Sequence, residues 1–458
     1  MSPIWMLEAI LLGCLLVCRF TDLPGIRPMW ARLFLIFGAG AAGGVGLTSC
    51  LFFLVGVLLG APIAAMALEL ALVAWAGYEV FRRRTPVFQP DEGARLPLLF
   101  PLAAVILLLA LGLAAMTAWT ASEANPQGNW DAWAIWNLRA KFLASGAGLA
   151  QRAWSPVLAA TTHPEYPLLL SSFVGRCWAF GHSFATSVPA ATSFVFFLAL
   201  IALAAGGVAA LRGPALGFLI ALALASTPRL LHEVSAQYAD VPLACFFVGA
   251  LVFALLDRHA LAGVFAGFAA WTKDEGLLFL LLFLVATAVF KRRVALVTLA
   301  GALPIGAVAI FFKVVLSRGN ASLLSASLPG AVHRIAIAGR YIKIIAAFGH
   351  EALAMAPGWY HPILPLIVLA AVLRFDRERR RDAAFCGVIL GALLLGYFGI
   401  FILTANDLDW QLQTSLSRLL VQVWPALVLT AFIALRPPVA TATVQPAPAP
   451  KARKKARR

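Results

Sequence analysis

Ionisable side chains recur near the ends of long apolar stretches in this chain. Five groups are of types that suit acid–base chemistry or anion binding: Asp131 among tryptophans, His163 with Glu165, Arg229 to Asp240, Lys273 to Glu275, and Asp407 to Arg418. A carboxylate can take the proton of an attacking hydroxyl, and lysine or arginine can bind a phosphate. Because ionisable groups at a membrane boundary are energetically expensive, they mark a functional cavity by default. The pattern predicts a proton-transfer or anion-binding site assembled from distant parts of the chain.

Each of these groups also has a purely structural interpretation. Asp240 stands before Val241-Pro242, a pattern typical of a helix N-cap. The stretch from Trp130 to Leu143 spaces its aromatic and aliphatic residues as in a helix that lies along the membrane interface. That interpretation explains the tryptophans, but it does not explain an acidic residue, Asp131, among them. Helix capping does not require several separate acidic clusters, so it does not explain the whole pattern.

Apolar stretches occupy most of the 458 residues. Hydrophobic residues make up 62% of the chain and charged residues 12%, and the mean hydropathy is +0.89, far from the values of soluble proteins. About 20 apolar residues are needed to cross about 30 Å of hydrocarbon. The sequence contains thirteen candidate spans: residues 3–18, 33–57, 61–81, 97–119, 190–210, 214–230, 240–256, 260–272, 276–290, 294–316, 361–375, 384–404 and 419–435.

These spans predict an all-α polytopic membrane protein with about 11–13 transmembrane helices. Residues 1–436 form one transmembrane domain, residues 120–189 within it form a large extracytoplasmic loop bearing interfacial helices, and residues 437–458 form a disordered basic tail. The eighth and ninth spans are short and flank a polar string at 271–276, so a single broken hairpin is an alternative. Glu8 and Glu69 have no evident partner, and Lys313 is expected to snorkel outward from the tenth span.

Charge distribution predicts the orientation of the spans. Placing the last residues in the cytoplasm puts 24 of the 36 basic and 8 of the 20 acidic residues on the cytoplasmic side, which therefore carries the whole net charge of +16. This asymmetry follows the positive-inside rule and places the N-terminus outside. The basic excess is spread over short loops, so we expect no nucleic-acid partner. The basic tail is expected to lie on anionic lipids.

Cysteine spacing predicts neither a disulfide framework nor a metal site. Five of the six cysteines fall in predicted spans, and Cys177 stands alone in the large loop.

Five segments carry a resemblance to a known group of enzymes. They are NWDAWAIWNLRAK at 129–141, HPEYPLL at 163–169, QYADVPLA at 237–244, WTKDEG at 271–276 and DLDWQLQTSLSR at 407–418. In motif order they resemble bacterial integral-membrane glycosyltransferases of the GT-C superfamily, which includes protein O-mannosyltransferases and lipid A aminoarabinose transferases. The resemblance implies a polyprenyl-phosphate-linked sugar donor, an active site on the periplasmic face of the bacterial inner membrane, and a catalytic base at Asp131.

The remaining candidate residues are assigned by the chemistry of such a transfer. The leaving phosphate needs fixed cations, for which Lys273 and Arg418 are the first candidates and Arg229, Arg340 and Lys343 follow. Asp240 and Glu165 are expected to orient the base, bind sugar hydroxyls or hold a divalent cation, although no dedicated metal spacing is present. Glu275, Tyr238 and His163 complete the predicted substrate site. A single displacement inverts the anomeric centre and needs no second nucleophile.

The acceptor can be a lipid, a glycan or a protein, and other classes of protein share some of these features. A polysaccharide polymerase or ligase also uses lipid-linked substrates, but it typically relies on outer-face arginines more than on an acidic base. A secondary transporter also has about a dozen spans, but it usually shows two related halves with broken helices at corresponding positions. No such repeat is evident. A channel would need pore-lining rings that this pattern does not suggest.

Overall fold

The computed structural model of the chain describes residues 2–21, 23, 26–83, 100–160, 162–318, 320, 328–354 and 363–437. Of these described residues, 86% are helical and none belongs to a named strand. The all-α architecture predicted from the hydropathy is therefore confirmed. The predicted tail beyond Pro437, the arginines at positions 84 and 95, and residues 97–99 and 361–362 of the predicted spans lie outside the described residues.

The described residues form nineteen α-helices. In chain order they are Ser2–Phe20 (α1), Met29–Leu51 (α2), Pro62–Arg82 (α3), Phe100–Ala124 (α4), Leu138–Ala144 (α5), Ala147–Ala150 (α6), Leu169–Gly181 (α7), Ser187–Arg212 (α8), Pro214–Ala225 (α9), Pro228–Ser235 (α10), Asp240–Leu255 (α11), His259–Thr272 (α12), Asp274–Phe290 (α13), Ala295–Phe311 (α14), Leu328–Ala336 (α15), Ala338–Leu353 (α16), Ile363–Leu373 (α17), Arg380–Leu403 (α18) and Leu408–Ala434 (α19). Three π-helical segments, Phe52–Leu58, Ala132–Asn137 and Phe312–Leu316, adjoin α2, α5 and α14.

Eight helical stretches among the described residues are long and apolar enough to cross a membrane. Helices α9 and α10 are bent by 56° at a short break and make a ninth span if they are counted together. The other predicted spans correspond to α11, α12, α13 and α17, which have 11 to 17 residues each. The fold fits a multi-pass membrane protein. The eight long stretches are Pro3–Phe20, Met29–Leu58, Pro62–Arg82, Pro101–Ala124, Ser187–Arg212, Arg292–Leu316, Arg377–Leu403 and Leu408–Ala434.

The core of the bundle lies around α11, all of whose residues are buried. Helix α11 packs against α8, α12 and α19, and α2 packs against α1 and α8. Small residues permit these close approaches, as expected where helices associate within a membrane. A Cβ atom on Gly44 of α2, for example, would lie 2.0 Å from the carbonyl oxygen of Ala9 in α1. In contrast, α4 and α14 leave large apolar side chains exposed, which suits contact with lipid.

The charged residues separate toward the two ends of the bundle. Helix α11 begins at Asp240 and ends about 24 Å further on. Near that far end, Lys291 donates to the carbonyl oxygen of Ala254 at 3.0 Å, and Arg212 pairs with Asp376 at 2.8 Å. The acidic clusters from the sequence lie at the end where α11 begins, which we call the site end.

Residues 125–186 are mostly helical and pack onto the bundle. Helix α7 is buried and contacts α1, α2 and α5. Trp130 and Trp133 are exposed, as an interfacial position predicts, but Trp136 is buried and forms part of the core. Trp136 is therefore a packed core side chain, because this segment is covered by the neighbouring helix α7. Cys177 also lies in α7 and is fully buried.

Candidate functional site

A single guanidinium joins two of the predicted carboxylates. Arg418, on α19, lies 2.7 Å from the carboxylate of Asp131 through Nη2. Its Nε and Nη2 also donate to Oδ2 of Asp240 at 3.2 and 3.0 Å. Among the described residues, none accepts a hydrogen bond from Nη1, and the side chain of Arg418 is 17% exposed. One part of the guanidinium is thus open to an anion.

The carboxylate of Asp240 is fully engaged and inaccessible. Its side chain has no exposed surface, and Oδ1 accepts hydrogen bonds from Lys273 at 3.1 Å and from Gln422. The N-cap interpretation of Asp240 was wrong, because α11 begins at this residue and the capping position, Ala239, makes no side-chain capping bond. The carboxylate instead neutralises two cations. A buried charge needs this degree of pairing and hydrogen bonding.

Lys273 lies where α12 ends and α13 begins. Its extended backbone, with φ of −152°, separates the two helices, so the polar string at 271–276 is a break between two helices. Nζ lies 3.1 Å from Asp240 and 3.0 Å from Oε1 of Glu275. Although burial disfavours the charged amine, these two carboxylates hold the pKa of Lys273 above its ordinary value. Lys273 is therefore a fixed cation at the site.

Two residues behind Asp240 extend the hydrogen-bond network. The hydroxyl of Tyr397, on α18, donates to Oε1 of Gln422 at 2.8 Å, so the amide nitrogen of Gln422 faces Asp240. Both side chains are buried. Gln422 follows Arg418 by four residues and therefore shares its face of α19. That spacing was the signal that sequence reasoning missed, since neither Gln422 nor Tyr397 was among the predicted site residues.

The position of Asp131 is set by the turn that precedes it. Gly128 has a φ of +72°, and the amide of Asn129 donates to the carbonyl oxygen of Ala236 at 3.1 Å. A Cβ atom on Gly128 would lie 2.6 Å from that same oxygen, so glycine is required for this contact. The turn brings Asp131 to Tyr238, whose ring lies 4.4 Å from the guanidinium carbon of Arg418. Burial and the negative charge of Asp131 raise the pKa of the Tyr238 hydroxyl.

His163 and Glu165 form a neighbouring pair. Nδ1 of His163 lies 2.9 Å from Oε1 of Glu165, and its ring stacks on Tyr166 with centroids 4.5 Å apart. The ring of Tyr166 also faces Lys273, at 5.9 Å from Nζ. Burial, followed by the negative charges of nearby carboxylates such as Glu275, raises the pKa of Tyr166 well above its usual value. Tyr166 therefore connects this pair to Lys273.

Arg139 fixes the backbone of that loop. Its guanidinium is fully buried and donates to the carbonyl oxygens of Ala153 at 2.8 Å, Tyr166 at 2.6 Å, and His163 and Pro164 at 3.3 Å. Burial lowers the pKa of Arg139 to about 9. This role could not be predicted from the sequence, because every residue has a backbone carbonyl oxygen and contacts to it do not depend on residue type.

Lys313 does not snorkel outward as expected. It lies in the π-helical segment Phe312–Leu316, where Nζ pairs with Asp274 at 2.9 Å and donates to the backbone oxygen of Glu165 at 2.9 Å. Asp131 directly precedes another π-helical segment, Ala132–Asn137. Such segments are rare in proteins and frequent at functional sites.

The other predicted phosphate-binding cations, Arg229, Arg340 and Lys343, form contacts elsewhere at the site end. Arg229 pairs with Glu233 at 2.6 Å, one turn along α10, and Glu233 in turn contributes to the electrostatic environment of Arg418. Arg340 donates to the carbonyl oxygens of Phe401 and Thr404. Lys343 pairs with Asp409 at 2.6 Å, and both are about half exposed. Arg340 and Lys343 thus secure α16 against the ends of α18 and α19.

The site has a charge balance that constrains its chemistry. We define the charged core as Asp131, Asp240, Lys273, Glu275 and Arg418, in which three carboxylates face two cations. The core carries one excess negative charge when all five are ionised. Within the described part of the chain, no three His, Cys, Asp or Glu side chains converge as metal ligands.

No protein-family model, curated protein or solved structure matches this chain.

Proposed function

We propose that this chain is a membrane glycosyltransferase of the GT-C type, which transfers a sugar from a polyprenyl-phosphate donor to an acceptor hydroxyl. The observation that supports this proposal best is the pairing at Arg418. One guanidinium holds a buried carboxylate, Asp240, and a partly exposed one, Asp131, whose side chain is 18% exposed. A base that can reach substrate, next to a fixed cation for phosphate, is the arrangement that this reaction requires.

The transfer is a single displacement at the anomeric carbon. The acceptor oxygen forms the new glycosidic bond as the bond between that carbon and the donor phosphate breaks. The acceptor proton goes to Asp131, and the polyprenyl phosphate leaves with the bonding electron pair. Because Asp131 loses its charge in this step, the charged core becomes neutral just as the phosphate gains a negative charge. The local charge balance therefore favours the transition state.

Arg418 places the base and the donor phosphate side by side. Asp131 is paired with Nη2 of Arg418 at 2.7 Å, and Nη1 makes no hydrogen bond to a described residue. The donor phosphate binds at this open Nη1, next to the carboxylate that takes the acceptor proton. Lys273 supplies the second cation for the leaving phosphate.

The other predicted residues take supporting roles in this proposal. Asp240 is a positioning residue, because it is fully buried and both of its oxygens are occupied. His163 is accessible and can bind a sugar hydroxyl, while Glu165 orients its ring. Glu275 and Tyr238 complete the substrate site.

An apolar groove on the lipid-facing side suits the polyprenyl tail. The groove has a volume of about 440 Å³ and lies between α13 and α14, with Leu280, Leu284, Leu303 and Ile310 among its lining residues. It extends to Val314, which directly follows Lys313 at the site end. A lipid tail in this groove would place its phosphate near the charged core.

We further propose that the site end faces the periplasm of a bacterial inner membrane. The N-terminus and residues 120–189 would then be extracytoplasmic and the C-terminus cytoplasmic, as the positive-inside rule favours. No nucleotide is available on that face, which is why a lipid-linked donor suits it. The shorter helices α11 to α13 and α17 complete the predicted set of spans.

The substitution Asp131→Asn tests the proposal. It removes the base without changing the side-chain shape, and we expect a loss of about 10²–10⁴-fold in the transfer rate from a polyprenyl-phosphate sugar. Transfer is measured on the purified, reconstituted protein with a panel of lipid, glycan and peptide acceptors. Asp409→Asn is the matched control, since Asp409 also pairs with one cation at the site end.

Normal transfer by the Asp131→Asn protein, with insertion and folding intact, would refute the assignment of the base. Movement of the intact donor across the membrane, without transfer by the wild-type protein, would instead indicate a transporter. The same assay in sealed vesicles of either orientation, with an acceptor that cannot cross the membrane, tests which face carries the site.

A further inference from the structure

A second arginine, outside the charged core, also joins two carboxylates. Arg176, on α7, donates through Nε to Oε2 of Glu69 at 2.7 Å and through Nη2 to the carboxylates of both Glu8 and Glu69. Its Nη1 donates to the carbonyl oxygen of Trp5 at 2.8 Å. Glu8 lies on α1 and Glu69 on α3, so these contacts join three helices. We call these three side chains the buried triad.

The buried triad is almost entirely closed to solvent. The side chains of Arg176 and Glu69 have no exposed surface, and that of Glu8 is 11% exposed. Cys177 is the other titratable group at contact distance, with Sγ 3.7 Å from Nη1 of Arg176. Among the described residues, the two glutamates face no other charged side chain. An arginine stays protonated in proteins, so two ionised glutamates would leave one uncompensated negative charge.

Two oxygen atoms in the triad have no partner. Oε1 of Glu8 and Oε1 of Glu69 are both buried, and neither is hydrogen-bonded to a described residue. Leaving an ionised carboxylate oxygen unpaired in an apolar environment is costly. A single proton on either glutamate removes the excess charge and turns an acceptor into a donor. Two carboxylates that share one site favour this half-protonated state.

We propose that the buried triad is a proton-binding site in which one of the two glutamates, Glu8 or Glu69, carries a proton. The bound proton makes the triad electrically neutral and stabilises the packing of α1 and α3 on α7. This role is separate from glycosyl transfer, because none of the three residues belongs to the charged core. Release of the proton would place a net negative charge between three packed helices.

The triad is nevertheless connected to the site through α7. This helix begins at Leu169, three residues after Tyr166. Its first turn is fixed by Ser49, which donates to the carbonyl oxygen of Leu169 at 2.8 Å, and by Ser171, which donates to that of Trp136 at 3.0 Å. Helix α7 therefore links the triad, through Arg176, to the segment that carries His163 to Tyr166.

Infrared spectroscopy of the intact, reconstituted protein tests the proposal. We expect the carbonyl stretch of a protonated carboxyl group at neutral pH, with its shift in D₂O, and its loss in both Glu69→Gln and Glu8→Gln. Glutamine resembles a protonated glutamate, so either variant leaves one glutamate paired with Arg176. If Glu69→Gln does not fold, Glu8→Gln serves alone, because Glu8 lies at the edge of the triad.

The thermal stability provides a second readout. The folded protein keeps a proton that the unfolded glutamate releases at a lower pH, so Tm of the wild type should fall as the pH rises. Glu69→Gln should reduce this fall, whereas Asp409→Asn should leave both the infrared band and the pH dependence unchanged. An identical band in the wild type and both variants, or no band at all, would overturn the proposal. Stabilisation by Na⁺ that is lost in Glu69→Gln would overturn it as well, by showing a metal cation instead of a proton.

Discussion

Two arginines, Arg418 and Arg176, each neutralise buried carboxylates, but their hydrogen bonding differs. Each joins carboxylates from two other segments of the chain, and each is largely buried. At Arg176 all three guanidinium nitrogens donate to the protein. At Arg418 only Nε and Nη2 do so among the described residues, and one of the two carboxylates, Asp131, is partly exposed.

The difference separates a structural bridge from a candidate binding site. A guanidinium with every donor occupied has none left for an external anion, so any charge that it leaves unbalanced has to be neutralised within the protein. A guanidinium with an open nitrogen and a lysine nearby can accept an external anion. Burial and pairing alone do not distinguish the two cases. The presence of a guanidinium nitrogen without a hydrogen-bond partner distinguishes them.

The largest effect on folding is expected for Arg176→Leu. This change leaves Glu8 and Glu69 without a counter-charge, and breaking a buried ion pair in this way costs about 3–5 kcal/mol. The free energy of unfolding in detergent measures the loss. Arg152→Leu is the control, since Arg152 is exposed in the same part of the chain. Wild-type stability in Arg176→Leu would show that the two arginines do not differ as described.

A large effect on activity, with little effect on folding, is expected for Arg418→Lys. Lysine preserves the charge beside Asp240 but not the planar donor geometry of the guanidinium. Loss of one well-placed donor to the leaving phosphate typically lowers kcat by about 10²–10³-fold. Arg334→Lys is the matched control, because Nε of Arg334 donates to the carbonyl oxygen of Leu403 at the same end. An unchanged kcat in Arg418→Lys would argue against a phosphate role.

The smallest effect is expected for Tyr397→Phe. The change removes one hydrogen bond to Gln422, worth about 0.5–1.5 kcal/mol, and thus up to about a tenfold fall in kcat. KM for the donor should change little, because Tyr397 acts through Gln422 and Asp240. Tyr341→Phe is the control, since that hydroxyl is exposed and donates to the carbonyl oxygen of Ile335. A rise in KM without a fall in kcat would show that Tyr397 contacts substrate.

The sequence was sufficient to predict which residues of the charged core lie together. Asp240, Lys273 and Arg418 were expected at one end of the bundle, because each stands where an apolar stretch begins or ends, and Asp131 was expected there because the loop 120–189 was predicted on the same face. Their exact pairing could not be predicted, since residue order contains no distances between helices. The N-cap interpretation of Asp240 was wrong for a different reason, because α11 begins at Asp240 itself.

The buried triad lay beyond what the sequence could show. Glu8 and Glu69 had no evident partner, because Arg176 is 168 and 107 residues away from them. It also lies in a segment, residues 120–189, expected to be a loop, whereas α7 folds into the bundle. Eight of the thirteen predicted spans are long helices among the described residues, whereas α11 to α13 and α17 are shorter. Helix α12, for example, ends at Thr272, where Lys273 separates it from α13.

The position of Arg418 on α19 determines when the charged core can be completed as the chain is synthesised. The contact between Asp240 and Lys273 spans 33 residues and can form as soon as α11 to α13 have been inserted, whereas that between Asp240 and Arg418 spans 178. Chains fold from the N-terminal side as they are made. Lys273 is therefore the first counter-charge that Asp240 meets during biogenesis, and a chain that stops before α19 has a helical bundle without a complete charged core.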